Sequence, residues 1–334
     1  MKIYISYDSV AGPWGGSNQV LKFLFSSFKQ NNSIVTKPDC ADVILIDSYL
    51  NVTKNLKLRY KFKNKLFIHR IDGPICSYNT KLDFRDKLVY LANKYISDAT
   101  IFQSGYSLKK NIDNGLNEPR FHTIINNSAN PEYFFKNRCK KRNKKILIIS
   151  TSWSKNINKG FNYYKWLDDN LDFNLFEYHF IGRSPYTFKN IKIIEPLCSR
   201  ELGLYLQKFD LYITASSNDP CSNSLIEALS CGLPVVYLDS GGHSELVKNN
   251  GVAFNDYNNL LSAILECRND YLDKKIKYLT NMPVEYINYF KYIMNKEKTI
   301  KCISFFNYFK LIMICYFYSF LNILINKIYF IIKK

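Results

Sequence analysis

The chain has no C-x-x-C pair and no His at zinc spacing from a Cys, so its nine cysteines among 334 residues form neither a zinc site nor a redox motif. Scattered thiols of this kind are expected to be reduced and mostly buried in a cytosolic protein. Asp-x-Asp is absent, which leaves a cation-bridged phosphate clamp without visible ligands, and no metal is expected. Neither G-x-G-x-x-G nor G-x-x-x-x-G-K-[ST] occurs, which excludes a dinucleotide fingerprint and a P-loop. No signal peptide opens the chain, because Met1 to Ser6 enters a strand directly. Acid is scarce too: 28 Asp and Glu stand against 46 Lys and Arg, a net charge of +18. Such an excess suits an anionic partner, whether a nucleotide-sugar, an anionic membrane surface or nucleic acid. The basic residues are spread along the chain without a recognition motif, which argues against nucleic acid.

What is present is a globular composition, 47% apolar and 22% charged, over a length that accommodates two domains. The basic run 136–144 has linker composition. The expected division is 1–140, 141–285, and a helical segment 286–334. Apolar runs followed by polar loops recur along both halves in the order strand, loop, helix, strand, which predicts parallel α/β sheets. In such sheets ligands sit at the carboxyl ends of the strands.

The most informative of these units runs from Leu211 to Leu238. A short β-favouring run is followed by Ser216-Ser217-Asn218-Asp219-Pro220-Cys221-Ser222-Asn223-Ser224, then a helical segment stopped by Gly232 and Pro234, then an apolar strand. Asp219 and Glu227 flank the loop and the opening turns of the helix. The helix N-terminus attracts phosphate through unpaired N–H groups and the macrodipole, so Ser222, Asn223 and Ser224 are placed to hold a diphosphate. A carboxylate beyond it can grip hydroxyls by charge-assisted hydrogen bonds. Taken singly, the same residues also read as a helix cap and a solvated first-turn acid.

Together with Ala228, Cys231, Gly232, Pro234, Val235, Gly241, Gly242 and Glu245, this run resembles the acid-x7-acid signature of family 4 glycosyltransferases. Those are retaining enzymes of the GT-B fold, in which two Rossmann-like domains face a cleft. The resemblance implies that Asp219 contacts the donor sugar and Glu227 the nucleotide ribose. Asp219 stands where the family usually has Glu, and Cys221-Ser222 where it often has Phe-Gly. After the first strand, Gly15 and Gly16 match the family's Gly-Gly pair near the donor diphosphate. In the loop after the strand at 145–149, Lys159-Gly160 matches the family's Lys-Gly, although the Arg that usually accompanies it is missing. Arg183, after a strand and a glycine turn, is a further candidate for the base or phosphate. His69, at the polar end of the run 66–68, matches the His near the family's reacting centre, with Asp72 in reserve.

The resemblance implies transfer of a sugar from a nucleotide-sugar to a glycan or lipid-linked acceptor, in cell-surface polysaccharide or lipopolysaccharide synthesis, without metal or other cofactor. A nucleotide-sugar hydrolase or epimerase of the same fold, or a basic membrane-associated binding protein, are the alternatives. The tail is rich in Phe, Tyr, Ile and Leu, and 311–326 carries no charge between Lys310 and Lys327. That run is short for a span, so residues 302–334 are expected to lie on the cytoplasmic face of a membrane as an interfacial helix. A terminal helix packed onto the domains is the other reading.

Overall fold

Runs of β-branched and aromatic residues that are apolar on both sides form strands only where both faces of a sheet are covered. The computed structural model shows two such sheets; it describes residues 1–8, 16–77, 83–136, 144–272, 274, 276, 278, 281–296 and 301–332. The first contains β1 (Ile3–Ile5), β2 (Val43–Asp47), β3 (Leu66–Ile71), β4 (Ala99–Phe102) and β5 (His122–Ile124), all parallel and side by side in that order. Between its strands in the sequence come α1 (Gly16–Gln30), α2 (Val52–Lys61), α3 (Arg85–Tyr95) and α4 (Gly105–Asp113). The second sheet contains β6 (Ile146–Ser152), β7 (Phe176–Gly182), β8 (Lys192–Ile194), β9 (Leu211–Thr214), β10 (Val235–Leu238) and β11 (Gly251–Phe254). Their spatial order is β11-β10-β9-β6-β7-β8, again parallel. Connecting them are α5 (Phe161–Asn170), α6 (Ser199–Leu206), α7 (Asn223–Ser230), α8 (His243–Val247) and α9 (Tyr257–Tyr271). Two helices close the chain, α10 (Met282–Met294) and α11 (Phe305–Ile332).

The chain divides into two units, and the division is not the linear one expected from composition. Unit 1 combines Met1–Ser9, Leu24–Asn126 and Met282–Lys334; unit 2 combines Val10–Phe23 and Asn127–Asn281. The break falls at Asn126, ahead of the basic run, and the C-terminal helices belong with the first sheet. Long-range contacts explain this. Arg59 of α2 donates to the Lys301 carbonyl at 2.8 Å, Tyr60 stacks on Tyr308 at 4.6 Å, and Phe84 stacks on Tyr318 at 5.8 Å. Leu311 and Cys315 of α11 are buried in one cluster with Ile44, Phe67, Leu56 and Leu88.

In unit 2, Phe161, Leu167, Leu260 and Ile264 cover one face of the sheet. Leu202, Leu206, Leu225 and Leu229 cover the other. At the start of α6 the N–H of Cys198 donates to Glu201 Oε2 at 3.0 Å. Of the eight cysteines among the described residues all are free, and Cys40, Cys76, Cys198 and Cys302 are exposed, so the thiols are less buried than expected.

Candidate functional site

Unit 2 changes the direction of its winding between β6 and β9, which are neighbours in the sheet. The loops leaving their carboxyl ends therefore splay apart there and leave room for a ligand. Lys159 comes from the loop after β6, Asp219 from the loop after β9, and the two meet: Lys159 Nζ lies 2.9 Å from Asp219 Oδ2. Asp219 is nearly buried, at 8% exposure. Burial pushes its carboxyl up, but the Lys159 ammonium, His243 and the Cys221 N–H at 3.3 Å together hold it below its ordinary value.

Two glycines let these loops approach. Gly160 sits at φ +80°, and a Cβ there would drive into the Ala215 carbonyl. Gly241 sits at φ +69°, where a Cβ would drive into the Asp219 backbone, while the Gly242 N–H donates to the Asp219 carbonyl at 2.9 Å. A Gly160→Ala protein is expected to be destabilised by at least about 1 kcal/mol, because Ala is incompatible with that φ. A urea midpoint indistinguishable from the parent would contradict this.

The N-terminus of α7 lies directly after Asp219. Its first backbone bond runs from Ile226 N–H to the Ser222 carbonyl at 3.1 Å, so the amides of Asn223, Ser224 and Leu225 have no helical acceptor. Ser222 and Ser224 share a hydroxyl contact at 3.2 Å. The Asn223 side chain is a brace: its Nδ2 donates to the Gly16 carbonyl at 3.1 Å, and its Oδ1 accepts from Asn127 Nδ2 at 2.8 Å. Of the pair expected as a glycine turn, Gly16 begins α1, and Gly15 lies outside the described residues.

Glu227 follows about one turn into α7. It is partly buried, its carboxyl makes no hydrogen bond or ion pair among the described residues, and burial pushes it up to about 8. Arg183 follows β7 with an exposed side chain, its backbone N–H bonded to the Ser152 carbonyl at 2.9 Å. It therefore stands on the same carboxyl edge as Lys159 without touching it. His243 is a residue that sequence reasoning left unassigned. It is fully buried; its Nδ1–H donates to the Leu238 carbonyl at 2.9 Å and its Nε2 accepts from Ser216 Oγ at 3.2 Å. Burial lowers its pKa. The signal was the Gly-Gly-His turn at the start of α8.

In unit 1 the strand expected to end at His69 runs two residues further. His69 has no exposed surface; its Nε2–H donates to the Ser48 carbonyl at 2.9 Å, and Nδ1 faces Asn93 Nδ2 at 3.4 Å. Burial lowers its pKa to about 4. As placed, it is a neutral core residue that no sugar can reach, which corrects its assignment to the reacting centre. The carboxyl edge of this sheet instead presents Arg70, whose Nη1 lies 2.6 Å from Asp47 and 2.7 Å from Asp72. Asp72, the reserve candidate, also accepts from Gln103 and remains 27% exposed. No group of three metal-ligating side chains occurs among the described residues.

Residues 177–270, which span β7 to α9, match the family model described as glycosyl transferases group 1. The two parallel α/β sheets are those of the GT-B fold, and solved structures agree. The Anabaena protein HepE, in complex with UDP-glucose, superposes with a TM-score of 0.62 at 14% identity, covering 87% of this chain and 97% of that one. Sucrose-phosphate synthase from Thermosynechococcus elongatus superposes with a TM-score of 0.61 at 14% identity, covering 82% and 78%. No curated protein matches the chain in sequence.

Proposed function

We propose that this chain is a retaining glycosyltransferase that moves a sugar from a nucleotide diphosphate donor to a hydroxyl of a glycan or lipid-linked acceptor, at the cytoplasmic face of a membrane and without metal. The observation that carries the reading is the Lys159–Asp219 pair set at the open N-terminus of α7, with the unpartnered Glu227 further along the same helix. The match of residues 177–270 to group 1 glycosyltransferases supports it. So does the UDP-glucose held by HepE, a protein of the same fold.

The chemistry follows from where charge develops. As the anomeric C–O bond breaks, negative charge collects on the leaving diphosphate and oxocarbenium character on the sugar. The acceptor oxygen bonds to the anomeric carbon on the face the diphosphate leaves, and its proton passes to a phosphate oxygen. Lys159 turns from Asp219 to the diphosphate, the α7 amides bind the same oxygens, and Arg183 adds a second cation. Asp219, released from Lys159, accepts hydrogen bonds from the sugar hydroxyls. Glu227 accepts from the ribose diol, which is where an unpaired carboxyl gains most from a ligand.

The pKa of Glu227 provides the test. In the free protein the carboxyl is largely protonated at pH 7, whereas a diol donating to it favours the charged form and lowers its pKa. Donor binding then releases a proton, so affinity rises with pH up to about 8 and levels off. The nucleotide-sugar that protects the protein thermally is to be identified from a panel, and its Kd measured from pH 6 to 9. Glu227→Gln is expected to weaken that Kd by roughly tenfold or more, the loss of a hydrogen bond to a charged group, and to flatten its pH dependence. A panel with no protective donor, or unchanged binding in the variant, would overturn the reading.

A further inference from the structure

At the opposite end of unit 1 from Asp47, Arg70 and Asp72 lies a cavity of about 640 Å³. It opens at the amino-terminal start of β4, marked by Ala99 and Thr100, between α3, the loop leading into β5, and the first half of α11. Thr100, which lines the cavity, pairs with His69 in the sheet, whereas Arg70 and Asp72 stand nearer its carboxyl edge.

Six cations line it: Lys87, Lys94, Arg120, Lys296, Lys301 and Lys310. Two acids accompany them. Asp98 receives Arg59 through both oxygens at 2.9 and 3.0 Å, and Glu118, 61% exposed, stands 3.7 Å from His122 Nε2. Lys301 Nζ donates to the Asn93 carbonyl at 3.0 Å, and burial lowers its pKa. The floor is apolar, with Leu91, Leu116, Ile293 and Ile314. A basic mouth over an apolar floor fits an anion that carries a hydrocarbon body.

The helix that forms one wall has a second property. Leu311 and Cys315 bind α11 to unit 1, and Asn322 Oδ1 accepts from the Phe84 N–H at 2.8 Å. Away from them Phe306, Phe309, Met313, Phe317, Phe320 and Ile323 are 84, 51, 68, 58, 60 and 57% exposed. Their spacing of three and four residues makes one stripe along the helix, about 25 Å long at 1.5 Å per residue. Its 28 residues include no Asp or Glu. By length and composition the helix is long and apolar enough to cross a membrane, and only 11% of its most apolar stretch is buried. Yet Leu311, Cys315 and Asn322 hold one side of it to unit 1, a placement that suits a helix lying along a surface rather than one crossing a bilayer. A stripe of aromatic side chains bordered by free cations is complementary to an anionic bilayer, whereas a second copy of this basic chain would set cation against cation.

We propose that this cavity binds the phosphate headgroup of an anionic phospholipid while the aromatic stripe of α11 enters the interface of the same membrane. The inference rests on the membrane-surface part of the functional reading and not on sugar transfer. Lys94 and Lys310 hold the headgroup from α3 and α11; both are exposed, so changing them leaves the fold intact.

The full chain is to be sedimented with vesicles of phosphatidylcholine alone and of phosphatidylcholine with about one third phosphatidylglycerol, an anionic fraction that generates an attractive surface potential. Binding to the anionic vesicles only is expected. Lys94→Glu/Lys310→Glu is expected to reduce it by roughly tenfold or more, since each Lys near such a surface contributes about fivefold, and Lys94→Gln/Lys310→Gln by a smaller factor, with unchanged melting temperatures. Phe306→Ser/Phe317→Ser is expected to abolish binding. If the stripe variant loses binding and the lysine variants keep it, the membrane reading stands and the cavity inference falls. If no vesicle binds, both fall while donor binding is untouched. Thermal protection by inorganic phosphate without vesicle binding would make the cavity a site for a soluble anion, and a stable dimer without vesicle binding would make the stripe a self-association surface; either overturns the proposal.

Discussion

Lys159→Ala is expected to lower kcat/KM by roughly 10² to 10³, the scale seen when one preorganised group facing developing charge is removed. The loss has two parts, because the side chain meets the diphosphate in the complex and Asp219 in the free protein. Stability separates them. In the parent, the Asp219 carboxyl lies below its ordinary value, so its contribution is present above the unfolded pKa of about 3.9 and is lost as pH falls through the folded value. Without Lys159 burial acts on this carboxyl against only His243 and the Cys221 N–H, so its pKa rises. The melting temperatures of parent and variant should differ most near neutral pH and converge as the pH falls below about 4. An active variant, or a difference that widens on acidification, would contradict the role given to the pair.

The second large effect is expected in unit 1. Arg70 is 1% exposed and stands between Asp47, also 1% exposed, and Asp72. Burial and the neighbouring Asp72 push the Asp47 carboxyl up to about 6 against the pull of Arg70, and Asp47 Oδ2 has no hydrogen-bond partner among the described residues. Arg70→Met leaves two carboxylates facing each other, one of them buried, and is expected to cost about 3 to 5 kcal/mol in urea denaturation. Adding Asp47→Asn should return part of that loss, since it removes the uncompensated charge. The parent itself should weaken as pH climbs from about 4 through 6, where the folded state retains a proton that the unfolded chain releases. A double variant no more stable than Arg70→Met alone would show that packing, not charge, dominates there.

How far the sequence revealed this site depended on distance along the chain. Asp219, the α7 amides and Glu227 lie within one βαβ unit, where helix and turn signals set the geometry locally. The meeting of Lys159 with Asp219, 60 residues apart, was legible only through the resemblance, because it needs β6 and β9 to be neighbours. His69 was misplaced for a different reason. Polar residues were taken to mark a strand end, but all six residues of β3 are buried, and a core strand accepts His and Arg when their donors are met. The register that sets Asp47 beside Arg70 then joins two residues whose sequence context gives no hint of each other. The allocation of α10 and α11 to unit 1 was out of reach altogether. It depends on pairs such as Arg59 and Lys301, 242 residues apart, and α11 carries large apolar residues on its exposed face as well as its packed one, which hides the one from the other.

The three-part construction of unit 1 also fixes an order of events during synthesis. Residues 24–126 leave the ribosome early, but Leu56, Phe67 and Leu88 remain without the covering supplied by Leu311 and Cys315 until translation has passed through unit 2. The later half of the chain can thus reach its final form first, and the earlier half waits for a segment translated nearly two hundred residues after its own last strand. Clipping the tail would therefore leave the first sheet open on one side, a nascent chain arrested for good.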